Sequence, residues 1–119
     1  MSVREPSSSE LIGTWMVEYI YDRPVIDNSP ASIIFAEEDR LAGNASCNNY
    51  FGKYTLSGTE LILNAAGKTN KMCIVEALME QEARLLEALP AVSSFEIREG
   101  ILFLLNESGE TVFRAAQHN

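Results

Sequence analysis

An α+β fold, an antiparallel, strongly curved sheet or open β-barrel packed around one helix, is the architecture this sequence predicts, on three observations. Apolar and polar residues alternate at period two over most of the chain, one later stretch changes to a helical period, and short polar turns separate the alternating stretches. Strands before and after a single helix, joined by hairpins, fit antiparallel pairing and not alternating βαβ units.

Each element follows in order. Residues 12–21 put Trp15, Val17, Tyr19 and Tyr21 at alternate positions, predicting a first strand with these four on one face. Asp22, Pro24, Asp27, Asn28, Ser29 and Pro30 are turn formers and mark a loop. Residues 32–36 and 41–46 predict two short strands around the charged turn Glu37-Glu38-Asp39-Arg40, and residues 50–56 and 60–64 a hairpin across Ser57-Gly58-Thr59. Over residues 73–89 the period becomes helical: Ile74, Leu78, Leu85 and Leu89 share a face, with Val75, Met79, Glu82 and Leu86 beside them, until Pro90 stops the helix. Residues 92–98, 101–105 and 111–115 predict a closing β-meander.

The 119 residues suit one domain, expected over 11–117 behind a polar, serine-rich leader at 1–10 that is flexible or left over from a removed segment. A monomer is expected, with a dimer as the alternative. The net charge of -8 disfavours nucleic acid and anionic lipid headgroups as partners, because their phosphates would be repelled unless a basic patch were concentrated somewhere. Lys53, Lys68 and Lys71 come nearest to a basic cluster, but Glu60 and Glu76 flank them in the sequence, which predicts scattered, solvated lysines. No apolar run approaches the roughly 20 residues of a transmembrane helix.

The sequence predicts no catalytic group, cofactor or metal. Gly67-Lys68-Thr69 would end a phosphate-binding loop only if a glycine stood five positions before Gly67, and Ile62 stands there. His118, the one histidine, is next to the C-terminal residue, where chains fray. Carboxylates are plentiful but carry no spacing that defines an acid/base pair. Asn44-Ala45-Ser46 and Asn106-Glu107-Ser108 match a glycosylation pattern too short to carry weight alone.

Gly43, Cys47, Asn48, Gly52 and Tyr54 form one block, and Thr69, Met72 and Cys73 a second just before the helix. In this order the two blocks resemble the META domain family, which includes heat-shock proteins of the HslJ type, with one residue more between Thr69 and Met72 than the commonest form. Ile12-Gly13-Thr14-Trp15 resembles the family's opening strand, Pro24 the proline of its first loop, and residues 91–115 its closing strands.

The resemblance implies a cracked barrel around a helix and no established reaction. It implies a domain of envelope lipoproteins or secreted bacterial proteins linked with stress response, hence a non-enzymatic accessory or interaction role with an unknown protein partner. The location that follows is periplasmic or outer-membrane-attached if a signal peptide was removed, and cytoplasmic otherwise. The alternative is a lipocalin-like binder of a small apolar ligand, with Trp15, Tyr19, Phe35, Phe51, Phe95 and Phe103 lining a barrel mouth.

Trp15 is expected to anchor the core, and Gly43 and Gly52 to serve the backbone where strands bend or approach closely. The two cysteines have two readings: buried apolar side chains in a reducing compartment, or a bridge worth about 3–4 kcal/mol in an oxidising one. With Cys47 ending the third strand and Cys73 opening the helix, a compact fold would bring their Cα atoms within about 7 Å. A structural disulfide is then expected in an oxidised envelope, with Cys73 the more reactive thiol if the pair is reduced.

Overall fold

The computed structural model describes residues 8–26 and 30–118. Most of the expected leader, together with Asp27, Asn28 and Ser29 of the first loop, lies outside the described residues. A helical turn, α1 (Ser8–Leu11), leads into β1 (Gly13–Ile20), the two-residue β2 (Arg23–Pro24), β3 (Ser32–Ala36), β4 (Arg40–Asn44), β5 (Asn49–Ser57) and β6 (Glu60–Lys68). Helix α2 (Glu76–Ala88) and a 3-10 turn (Leu89–Ala91) follow, then β7 (Ser94–Arg98), β8 (Ile101–Leu105) and β9 (Thr111–Gln117).

All nine strands pair antiparallel in the order β2-β1-β3-β4-β5-β6-β7-β8-β9, and β1 also pairs with β9, so the sheet curls into a ring. Trp15 stands at the join, opposite Ile33 on one side and Gln117 on the other. The seam with the fewest registered pairs is β6–β7, where Glu60 opposite Ser94 is the one pair, because the 3-10 turn packs against β6 beyond it. The β1–β9 join also ties down the C-terminal end: His118 donates its N–H to the Thr14 carbonyl at 2.9 Å, so the fraying expected there is replaced by a strand extension.

The core contains Trp15, Phe35, Tyr50, Phe95 and Phe113, all almost fully buried. Trp15 is 1 % exposed, and its indole N–H is satisfied by the Leu11 carbonyl at 2.8 Å. Tyr50 and Tyr54 reach from β5 across β4 to β3, donating to the carbonyls of Ser32 (2.8 Å) and Ala36 (3.0 Å). Burial pushes both phenol pKa values up, with the nearby Asp39 charge adding to the effect at Tyr54.

Four sequence expectations change. Tyr19 and Tyr21 are exposed and do not share the buried face of Trp15 and Val17, because a β-bulge against β9 between Val17 and Tyr19 shifts the alternation and turns Ile20 inward. β4 stops at Asn44, short of Cys47, because the chain then curls through Ser46 at φ 127°. β6 runs on to Lys68, past the expected end at 64, because a bulge opposite Phe51 and Gly52 absorbs the break in alternation at Ala65 and Ala66.

Finally, α2 starts at Glu76, so Cys73 does not open it and Ile74 and Val75 lie outside the core, 102 % and 54 % exposed. The backbone of the preceding segment bonds to Asn48 and Asn49 instead of joining the helix.

Candidate functional site

Helix α2 presents the face Leu78, Glu82 and Leu85, continued by Leu89 in the 3-10 turn, the spacing of an apolar stripe with a carboxylate in one of its inward positions. Glu82 is 3 % exposed. A buried carboxylate is costly unless hydrogen bonds replace its water, and here they do.

Oε1 accepts the backbone N–H groups of Cys47 (3.1 Å) and Asn48 (2.7 Å). Oε2 accepts Asn48 Nδ2 (2.9 Å) and meets Lys68 Nζ at 3.4 Å. Burial alone would raise the pKa of Glu82, but these donors outweigh it and hold the carboxyl below its ordinary value.

The donors converge because the loop between β4 and β5 is tightly curled. Asn44 Oδ1 accepts the Ser46 N–H at 2.8 Å, Ala45 N–H bonds the Asn48 carbonyl at 2.7 Å, and Ser46 takes its positive φ, turning the next two N–H groups toward α2. Gln81, the neighbour of Glu82, is also buried; its Oε1 accepts Ile26 N–H at 2.7 Å and its Nε2 donates to Ser46 Oγ at 3.1 Å. Two adjacent helix residues thus hold two loops.

Asn48 carries the network outward. Its Nδ2 also donates to the Lys71 carbonyl (3.0 Å), and its Oδ1 accepts from Thr69 Oγ1 (2.9 Å) and the Lys71 N–H (2.5 Å). Both donors and both acceptor positions of the amide are therefore used. Beside it Cys47 and Cys73 form a disulfide with Cα atoms 6.0 Å apart. The loop of residues 69–75 is thus fastened from behind at Thr69, Lys71 and Cys73, and it turns Met72 (90 % exposed), Ile74 and Val75 to solvent.

Of the residues singled out in the sequence, Cys47, Asn48, Thr69 and Cys73 come together here. Met72 belongs to the same loop but points away from the cluster's buried side. Gly43 lies where a Cβ would overlap the Ser32 carbonyl and the Tyr50 hydroxyl; one at Gly52 would overlap the Asn64 carbonyl across the bulge. Trp15 and Tyr54 belong to the core. Glu82 is expected only as a neighbour of the helix stripe and Ser46 only as part of a glycosylation-like pattern, and neither they nor Gln81 is expected as a site residue.

The aromatic set proposed to line a barrel mouth does not share a cavity. Trp15, Phe35 and Phe95 fill the core, Tyr19 and Phe51 lie on the outer surface, and Phe103 lies beneath the Arg98 guanidinium, 4.3 Å from its ring centre. An apolar concavity of about 590 Å³ is on the outer face of the sheet, over Ala36, Ala42, Phe51 and Ala66 with Arg40 and Lys53 among its lining. Among the described residues no group of three or more His, Cys, Asp or Glu is gathered to hold a metal, and no helix is long and apolar enough to cross a membrane.

The META domain model matches residues 9–119. No curated protein matches the chain. Among solved structures it is similar to a protein determined by NMR, 25 % identical with TM-score 0.67 over 91 % of this chain and 92 % of that one. It is also similar to a protein from Burkholderia xenovorans solved by NMR, at 18 % identity and TM-score 0.71 over 100 % of this chain and 93 % of that one. A third is the crystal structure of a DUF4847 family protein from Bacteroides vulgatus ATCC 8482, at 15 % identity and TM-score 0.67, covering 89 % and 92 %. The last two likenesses concern the fold alone.

Proposed function

The chain belongs to the META domain family, and from that premise we propose that it is a non-enzymatic interaction domain of the bacterial cell envelope that docks through the loop of residues 69–75. The observation that carries this is the loop itself, pinned by the Cys47–Cys73 bridge and by Asn48 while Met72, Ile74 and Val75 stand in water. Exposed apolar side chains on a mobile loop can fold back; on a fastened loop they are held available for a partner. The most organised polar group, Glu82, has both oxygens occupied by chain donors, which suits a fastening and not a general base. A disulfide favours an oxidising compartment outside the cytoplasm.

Photo-crosslinking in intact cells tests this. A photoreactive residue at position 74 should give specific adducts in the envelope fraction, and one at Ser108 should not. Equal labelling from both positions, or robust turnover of a substrate that survives repurification, would end the proposal. Alkylation before and after reduction checks the compartment: protein from its native location should show no free thiol.

A second reading, a carrier of a small apolar molecule, moves from the expected barrel mouth to the outer concavity beside Phe51. Native mass spectrometry after mild extraction tests it, since a carrier retains a ligand mass and the interaction domain shows the bare chain.

A further inference from the structure

The fold sorts the charges of this acidic chain. Between residues 40 and 75 there are four bases, Arg40, Lys53, Lys68 and Lys71, and one acid, Glu60, in a chain whose net charge is -8. The sequence places Glu60 beside the lysines, but β6 runs from Glu60 to Lys68 as one strand, which puts them about 26 Å apart at about 3.3 Å per residue. The end of β6 that leads into the fastened loop therefore carries Lys68 and Lys71 away from Glu60, whereas Arg40 and Lys53 stand level with Asn64, midway along the strand.

Met72, Ile74 and Val75 form an apolar tip; Ile74 is as exposed as in an extended chain, so the tip is convex. The same segment carries Lys71, also exposed, and begins at Lys68, whose side chain is 39 % exposed although it meets Glu82. The first acid beyond the tip, Glu76, lies in the opening turn of α2, where the helix dipole offsets its charge.

A convex apolar tip with lysines in the same fastened segment matches the composition of an anionic bilayer surface, with acyl chains beneath phosphate headgroups, and lysine stems span such a boundary with the ammonium in the polar layer. The acidity of the remaining chain does not oppose this at close range, because repulsion is screened beyond about 8 Å at physiological ionic strength.

We propose that the loop of residues 69–75 docks on an anionic lipid bilayer, inserting Met72, Ile74 and Val75 while Lys71, aided by Lys68, meets the lipid phosphates. This rests on the reading of the loop as the docking surface and names its partner.

Flotation of the oxidised full chain with vesicles tests the proposal. The protein should float with phosphatidylglycerol mixed into phosphatidylcholine and stay behind with phosphatidylcholine alone. Ile74→Ser and Lys71→Glu should each lower the bound fraction about tenfold, whereas Ile62→Ser, at an exposed position on β6, should not. Because all three sites are exposed, thermal melts should stay close to the parent and separate loss of binding from loss of fold.

Absence of flotation with the anionic vesicles, equal flotation with neutral ones, or indifference to Ile74→Ser would overturn the lipid assignment. If vesicles fail while position 74 still crosslinks to a protein in cells, only this inference falls; if both fail, the docking loop falls with it.

Discussion

Asn48 and Glu82, one from a loop of the sheet and the other from the buried face of α2, join at two points. The Asn48 backbone N–H meets Oε1 at 2.7 Å and its side-chain Nδ2 meets Oε2 at 2.9 Å. The carboxylate sits in a core position of the helix, so this pairing fixes α2 against the β4–β5 loop and, through the far side of the Asn48 amide, fixes the loop of residues 69–75 as well.

Replacing the carboxylate should therefore be costly although the shape hardly changes. Glu82→Gln turns one acceptor oxygen into a donor facing donors, which should cost about 2–4 kcal/mol. Urea unfolding checks this, and a change below about 1 kcal/mol would mean that the cluster is not a main fastening.

The pH dependence has a definite sign. The folded pKa of Glu82 is lowered, so the unfolded chain takes up the proton first as pH falls. Its contribution is complete above the ordinary glutamate range, near about 4.3, and is lost as pH falls through the lower folded value. Stability measured from pH 7 downward should fall in acid for the parent and more shallowly for Glu82→Gln; parallel curves would contradict it.

Trp15 bridges the two sides of the ring join and is almost wholly buried. Trp15→Ala should cost about 3–5 kcal/mol in urea melts, by lost burial and by the cavity left behind. A loss below about 1 kcal/mol would show that the join does not depend on it.

Gly43 and Gly52 should resist even the smallest side chain. At Gly43 the obstacle is the Ser32 carbonyl and the Tyr50 hydroxyl that bonds it; at Gly52 it is the backbone at Asn64–Ala66. Gly43→Ala and Gly52→Ala should each cost about 1–3 kcal/mol by forced displacement. Thermal melts unchanged from the parent would show that the strands yield freely.

The strands were legible because alternation survives in most of them, and β7 and β8 needed little correction. β1 was misread past Val17 because a bulge shifts the phase without leaving a mark in the residues themselves. The helix start was misread because Ile74 and Val75 fit the helical period, while the contacts that hold the preceding segment out of the helix come from Asn48 and Cys47, far away in sequence. Within the site, Asn48, Thr69 and the cysteines stood out as family-like blocks. Their partner Glu82 was one acid among seventeen, although its place between Leu78 and Leu85 on the apolar stripe was a usable signal. Gln81 offered no such signal, since its partners Ile26 and Ser46 lie on unrelated loops.

The central claim is that the loop of residues 69–75 is a rigid display surface, and hydrogen exchange at the Lys71 amide, which bonds Asn48 Oδ1, tests it most directly. In the oxidised parent this amide should exchange slowly although its residue is exposed, and Asn48→Ala should speed it by at least about tenfold more than it speeds Leu104 in β8, which reports the loss of global stability. An amide at Lys71 that exchanges in the parent as fast as an unprotected loop would contradict the account.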